Sequence, residues 1–340
     1  MMRAPAFWFT ERPDWRARTL WPFGALYGAV TTRRMGAHGA RAGVPVVCVG
    51  NFVAGGAGKT PAALAIAALL REMGETPAFL SRGYGGTAGR DAPQRVDPDR
   101  HDAARVGDEP LLLARRAPTL VAADRRAGAE AARRAGASVI VMDDGLQNRS
   151  LHQDVRFAVV DGASGVGNGF CVPAGPLRAP LSAQMPHVTA VVLIGAGAAG
   201  ERVALAAARA GKPVLRARLQ PDPEQARALA GRDVVAFAGI GRPKKFFATL
   251  REIGARVVAT HAFGDHHPYA REEIAGLQAE AEARGAMLVT TEKDMARIAP
   301  ALLTPHATAP TALRVRLEFD DGSASLLRGM LTRNYALYKL

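Results

Sequence analysis

Cysteine is nearly absent from these 340 residues. Cys48 and Cys171 stand far apart and outside any ligand-like spacing, which excludes a disulfide framework and a zinc site and suits a reducing cytoplasm. Long apolar runs are missing too. Residues 19–32 carry no charge, but the stretch is shorter than the ~20 apolar residues of a spanning helix and is interrupted by Pro22 and Gly24. No signal-peptide pattern ends it. Acidic residues (31) are fewer than basic ones (44), and only six of the basic residues are lysine. The net charge of +13 calls for an acidic partner: nucleic acid, anionic headgroups and phosphorylated substrates all qualify. A nucleic-acid partner is not expected, because no aromatic-and-basic stacking motif occurs outside the N-terminal segment. What is present, 48% hydrophobic and 22% charged residues, is a globular composition in a chain long enough for two α/β domains.

The rest is organised around residues 46–70. An apolar run, Val46-Val47-Cys48-Val49, leads into a glycine loop and then an Ala/Leu/Ile run: strand, loop, helix. Gly55, Gly56, Ala57 and Gly58 turn backbone N–H groups toward one point at a helix N-terminus, the natural seat of a polyphosphate such as that of ATP. Lys59 reaches the outer phosphates, Thr60 offers a hydroxyl to Mg²⁺, and Pro61 opens the helix where an N–H would be unpaired anyway. The spacing departs from the full P-loop pattern, since Val53 stands where the first glycine belongs.

Upstream, Trp8, Trp15, Trp21, Phe7, Phe9, Phe23 and Tyr27 cluster, with Arg16, Arg18, Arg33 and Arg34 flanking the uncharged stretch. The pattern fits a helix lying in an anionic membrane surface; the competing reading is a helix packed on the P-loop domain. Downstream, residues 76–80 read as a strand delivering Arg82 and Tyr84 to its C-terminal end, where α/β sheets bind ligands, although a glycine-rich turn with a packed tyrosine would look the same. Residues 87–105 read as a polar loop. Asp108 and Glu109 open a leucine-rich helix, where by spacing alone either one serves as a cap. Residues 138–142 form an apolar strand ending in Asp143-Asp144, and two carboxylates at a buried strand end beside a P-loop point to Mg²⁺. Gly195 to Gly200 spells a formal G-x-G-x-x-G, but no acidic residue follows about 20 positions on, so a dinucleotide site is not expected. The twin segments 215–219 and 313–317 alternate apolar and basic residues as paired strands do. Asp265-His266-His267 has no third ligand for zinc nearby.

Taken in order, Gly50-Asn51, the Gly-Gly-x-Gly-Lys-Thr-Pro loop, Ser81-Arg82-Gly83-Tyr84-Gly85, Gly107-Asp108-Glu109-Pro110, Asp143-Asp144-Gly145-Leu146-Gln147, Pro173 to Arg178 and Thr290-Thr291-Glu292-Lys293-Asp294 resemble the tetraacyldisaccharide 4′-kinase (lipid A 4′-kinase) family over nearly the whole chain. The resemblance implies transfer of phosphate from ATP to the 4′-hydroxyl of an acylated glucosamine disaccharide 1-phosphate, forming lipid IVA at the cytoplasmic face of the bacterial inner membrane, with the chain peripheral or monotopic. It implies Asp108 as base, His266 as its partner across a cleft, and Arg178 as a phosphate ligand, with residues 290–294 lining the opening. Asn148 and Ala179 depart from the family's usual histidine and glutamate.

The expected fold is α/β of the P-loop NTPase type, with a mainly parallel sheet and a second, smaller α/β domain on a two-stranded linker. The expected divisions are a membrane-interacting segment (1–35), the kinase domain (36–212), the linker (213–221 and 311–319), the small domain (222–310) and a returning helix (320–340). The alternative function is a membrane-associated P-loop ATPase acting as a switch or partitioning module. That class carries a lysine just before the glycines, where this chain has Ala54.

Overall fold

Val46–Asn51 (β1) is six buried residues in a row, as a strand covered on both faces requires. The computed structural model describes residues 4–305 and 307–336. The other strands of the larger sheet are β2 (Pro77–Ser81), β3 (Gln94–Arg95), β4 (Thr119–Val121), β5 (Val139–Asp143), β6 (Val155–Asp161), β7 (Ala190–Ile194), β8 (Val214–Pro221) and β13 (Val315–Phe319). Their order is β13-β8-β7-β6-β1-β5-β2-β4-β3. Pairing is parallel from β8 through β4, with antiparallel pairs only at the two edges, β13–β8 and β3–β4. The C-terminal ends of the parallel strands therefore open on one side, next to the loop that follows β1.

The described helices are α1 (Trp15–Met35), α2 (Lys59–Glu72), α3 (Ala103–Val106), α4 (Asp108–Ala114), α5 (Arg125–Arg134), α6 (Leu181–Gln184), α7 (Ala198–Arg209), α8 (Pro223–Leu229), α9 (Pro243–Glu252), α10 (Arg271–Ala283), α11 (Glu292–Met295) and α12 (Asp321–Ala336). Alternate residues of the strands feed two cores. Val47, Val49, Phe79 and Phe157 pack with Ile66 and Leu70 of α2 and Leu327 and Leu331 of α12; Cys48, Leu80 and Met142 pack with Ala129 of α5 and Ala204 of α7. Each fully buried Phe, Ile or Leu contributes about 1.5–3 kcal/mol. α12 packs on the larger sheet through Leu327 and Leu331; of the expected segment 320–340, residues 337–340 lie outside the described residues.

The second sheet is parallel throughout, β10 (Arg256–Ala262), β9 (Asp233–Ala238), β11 (Met287–Thr291) and β12 (Thr311–Leu313), in the order β10-β9-β11-β12. Two expectations change. The twin segments do pair, Leu317 opposite Leu219, but 313–317 is not one strand: β12 belongs to the small sheet and β13 to the large one, so the return crossing falls at Arg314. Residues 87–105 are also more than a loop. Pairing of β3 with β4 and burial of Val96 tie them to the sheet edge, because one valine among the polar residues suffices to join a small satellite core with Val106, Leu111 and Val121.

One face of α1 is packed on the rest of the chain. Gly24 and Gly28, one turn apart, let its backbone lie on the 171–180 loop; a Cβ at Gly24 would stand 2.7 Å from the Cys171 carbonyl oxygen. Trp8 Nε1 donates to the Pro173 carbonyl at 2.9 Å. The other face leaves Trp15, Trp21, Phe23, Leu26 and Val30 exposed. Among the described residues no helix is long and apolar enough to cross a membrane; residues 1–3 of the expected segment lie outside them.

Candidate active site

The loop between β1 and α2 folds as an open, glycine-lined cradle at the N-terminus of α2. Gly55 and Gly58 adopt φ of +107° and +88°, which glycine accepts at no steric cost, and a Cβ at Gly55 or Gly56 would meet only open space. Asn51 Nδ2 donates to the Gly55 carbonyl at 2.9 Å, and Gln147 Nε2 braces the Asn51 carbonyl at 2.9 Å. The Lys59 ammonium is buried, 3.3 Å from the Gly55 carbonyl and 3.5 Å from Asp144.

The two carboxylates at the end of β5 differ sharply. Asp144 takes a bidentate pair from Arg178, at 2.7 and 2.8 Å. Burial raises its pKa, but the charges of Lys59 and Arg178 outweigh burial and hold it well below the usual carboxylate range. Asp143 has no such partner. Both its oxygens, like Thr60 Oγ1, are buried without a hydrogen bond, and burial, then the Glu109 charge, pushes its pKa up to about 8. Orphaned buried oxygens are costly unless something completes them. Hard oxygen donors beside the cradle fit Mg²⁺, which takes few protein ligands and completes its octahedron with phosphate oxygens and water.

Opposite the cradle, the small domain reaches over α4. His266 Nδ1 lies 3.1 Å from Asp108 Oδ2, and Arg297 donates to the same oxygen through Nε (2.9 Å) and Nη2 (2.6 Å). Lys293 Nζ pairs with Glu109 at 2.5 Å. Asp108 does not cap its helix; Gly107 is the N-cap, and Asp108 Oδ1 accepts from the Glu109 N–H. Burial of Asp108 is outweighed by the His266 hydrogen bond and the Lys293 and Arg297 charges, so its pKa is far below normal; the same hydrogen bond raises that of His266. His267 turns away, onto Glu273. Among the described residues the non-glycines with positive φ are Asp144 (+53°) and His266 (+55°). Both sit at this cleft, where such conformations tend to gather.

A cavity of about 1510 Å³ connects these groups. Gly55 to Pro61, Asp143, Asp144, Arg178 and His266 line it, as do Arg82 and Tyr84, whereas Asp108 lies behind His266, nearly excluded from solvent. Tyr84 stands 5.9 Å, ring to ring, from His266. Of residues 290–294, Thr291, Glu292 and Lys293 face the cavity, while Asp294 is buried under it, accepting from Gly239 N–H, Tyr269 and Arg297. Tyr27, Thr31 and Arg34 of α1 continue the lining toward the exposed aromatic face. Sequence reasoning missed Arg297; its only signal is the i, i+3 spacing from Asp294. The glycines of residues 195–200 serve packing: Cβ atoms at Gly197 and Gly200 would stand 2.4 and 2.9 Å from the Gly162 carbonyl. Ala179 is completely buried, so a carboxylate there would have to enter a filled space.

The model of the family described as Tetraacyldisaccharide-1-P 4′-kinase matches residues 16–332. The chain is 57% identical to a protein of Methylobacterium nodulans and 59% identical to one of Methylobacterium sp. (strain 4-46), each alignment covering 97% of this chain and 96% and 97% of those relatives; both are named tetraacyldisaccharide 4′-kinase. A Bradyrhizobium protein of the same name is 52% identical over 98% of this chain and 96% of its own length. In fold, the chain is similar to a crystal structure of the "apo" form of LpxK from Aquifex aeolicus in complex with ATP, with a TM-score of 0.71 and 24% identity over 94% of this chain and 99% of that one. A chain matched over nearly its whole length by this family model and by relatives of that name belongs to the tetraacyldisaccharide 4′-kinase family.

Proposed function

We infer that this chain is an ATP-dependent kinase that phosphorylates the 4′-hydroxyl of an acylated glucosamine disaccharide 1-phosphate, the step that forms lipid IVA in lipid A biosynthesis. The observation that carries the reading, beside family membership, is the convergence on one cavity of the P-loop and, from the other domain, of His266 set on Asp108. Lys59 and the amides of residues 55–60 offset charge on the β- and γ-phosphates. Thr60 and Asp143 are the residues that would hold Mg²⁺, which would neutralise phosphate charge. Asp144 fixes Arg178 at the cavity wall, where the guanidinium faces transferred phosphate.

His266, on the cavity surface, meets the acceptor hydroxyl and takes its proton, with Asp108 behind it fixing the ring, as the acceptor oxygen bonds to the γ-phosphorus and the bond from that phosphorus to the departing ADP oxygen breaks. With Arg297 and Lys293 depressing its basicity, Asp108 is a poor base alone. A loose phosphoryl-transfer transition state needs little early proton abstraction, so orientation and late proton acceptance by the pair suffice. Arg82 and Tyr84 contact the acceptor at the cavity mouth. The β8–β13 pair acts as the linker about which the small domain closes. The exposed aromatics of α1, flanked by arginines, rest on the anionic cytoplasmic face of the inner membrane, so an acyl chain lying along α1 enters beside Tyr27 and Thr31.

A switch ATPase is not favoured, since the second domain delivers charged groups to the acceptor side of the cleft. ATP turnover measured with and without tetraacyldisaccharide 1-phosphate separates the two. Phosphate should appear on the lipid in proportion to ATP consumed; equal ATP consumption without the lipid would sink the kinase reading.

A further inference from the structure

A second ionic contact crosses the cleft, made by Asp161, Arg242 and Lys245, which line the same cavity as the cradle. Asp161, at the C-terminal end of β6, is buried. Its Oδ1 accepts from the N–H groups of Ala163 (3.0 Å) and Ser164 (3.1 Å), which fix the carboxylate before any partner arrives. From the small domain, Arg242 Nη1 reaches Oδ1 at 2.7 Å and Lys245 Nζ reaches Oδ2 at 3.3 Å.

Arg242 ends a four-residue loop, 239–242, between β9 and α9, and the other end of that loop holds the reacting histidine. The Gly239 carbonyl accepts from the His266 N–H at 3.1 Å and from Arg297 Nη1 at 2.7 Å. The Gly239 N–H in turn donates to Asp294, which also binds Arg297. Asp161 and Asp108 belong to the same domain, and His266, Arg297 and Arg242 to the other. A short backbone segment therefore links two places where the domains touch through charge.

We propose that Asp161 is a positioning residue: by docking Arg242 and Lys245 it seats the 239–242 loop, and through the Gly239 carbonyl that loop sets His266 and Arg297 on Asp108. The proposal rests on the kinase reading above and adds to it a device for assembling the acceptor side of the site. The Asp161 contact lies on the β6 side of the P-loop and the Asp108 contact on the α4 side, so the small domain is held at two points. Its orientation is then defined, whereas one contact and the β8–β13 pair leave a rotation free. A misplacement of about 1 Å at reacting atoms is enough to cost two orders of magnitude in rate.

The test compares Asp161→Asn, which keeps the side-chain shape and the Oδ1 acceptor, with Arg242→Ala and with the doubly exchanged Asp161→Arg/Arg242→Asp protein. Two readouts are taken: steady-state kinetics with tetraacyldisaccharide 1-phosphate, and hydrogen exchange of the His266 amide in the protein without substrates. Each single variant should lower kcat about 10- to 100-fold, change KM for ATP less than about 3-fold, and speed exchange at His266. The exchanged pair should recover part of both losses. Wild-type kcat in the single variants, or a lost kcat with unchanged His266 exchange, overturns the coupling. Should the wild-type protein fail to phosphorylate the lipid, the kinase reading falls, and the exchange measurement alone decides whether Asp161 seats His266.

Discussion

The His266 imidazole stands 3.1 Å from the Asp108 carboxylate although 158 positions separate the two residues, and the contact joins the small domain to the first turn of α4. Arg297 shares the same carboxylate oxygen. A group so heavily paired holds its charge firmly and is a weak base on its own.

Asp108→Asn should therefore keep ATP affinity within about 3-fold while kcat falls by 10²-fold or more, the usual range for a positioned acid–base group. Lys59→Ala should instead lose ATP affinity, because the ammonium lies in the cradle itself. Equilibrium binding of a labelled ATP analogue beside single-turnover kinetics checks the split. Equal loss of ATP binding in both variants would refute the division of roles.

The two strand-end carboxylates should respond in opposite ways. In the absence of Mg²⁺, Asp143→Asn should leave stability unchanged or improve it, since an unpartnered buried carboxyl is replaced by a neutral group. Asp144→Asn should cost about 1–2 kcal/mol, because it strips Arg178 of a charged bidentate partner that is partly open to solvent. Urea denaturation of the three proteins at equal pH reads both effects. A larger loss in Asp143→Asn than in Asp144→Asn would reverse the assignment.

The Asp108–His266 pair should give a bounded pH window. The His266 pKa is raised in the folded protein, so its contribution is complete below an ordinary histidine value of about 6.5 and is lost as pH rises through the raised one. The Asp108 pKa is lowered, so its contribution is present above about 3.9 and fades as pH falls toward the depressed value. Wild type minus His266→Gln stability should hence be larger at pH 6 than at pH 9. A difference independent of pH over that range would show that the pair carries no charge.

On α1 the two faces should separate experimentally. Gly24→Ala drives a methyl group against the Cys171 backbone and should cost about 1–3 kcal/mol as overpacking does. Trp21→Ser with Phe23→Ser, on the exposed face, should leave thermal stability near wild type and reduce sedimentation with anionic vesicles. Unchanged sedimentation would leave α1 as a packing element only.

Ala179→Glu gives a further check of burial. With Ala179 fully enclosed and its carbonyl held by Gln184 Nε2 at 2.6 Å, the glutamate should destabilise the protein before it serves any cation. A rise in melting temperature on adding Mg²⁺ that exceeds the wild-type rise would show that the space opens to the metal site.

Sequence alone determined whatever depends on local spacing. The β1–loop–α2 cradle, the acidic end of β5 and the paired alternation of β8 and β13 were all legible, because strand periodicity, glycine turns and helix starts are encoded within a few residues of one another. The family's ordered motifs imply that Asp108 and His266 face one cleft, and the two side chains stand 3.1 Å apart. Long-range burial and charge pairing decided the rest. Asp143 and Asp144 are adjacent and chemically identical, and only the approach of Arg178 from another loop separates them. Arg297 and Arg242 look like two more arginines in an arginine-rich chain until the small domain sets them on Asp108 and Asp161. The break at Arg314 is invisible in an alternating segment, because each half keeps the same period while joining a different sheet. Spacing reports the geometry of one element; which charges lose their water, and which partners replace it, is settled only when distant elements meet.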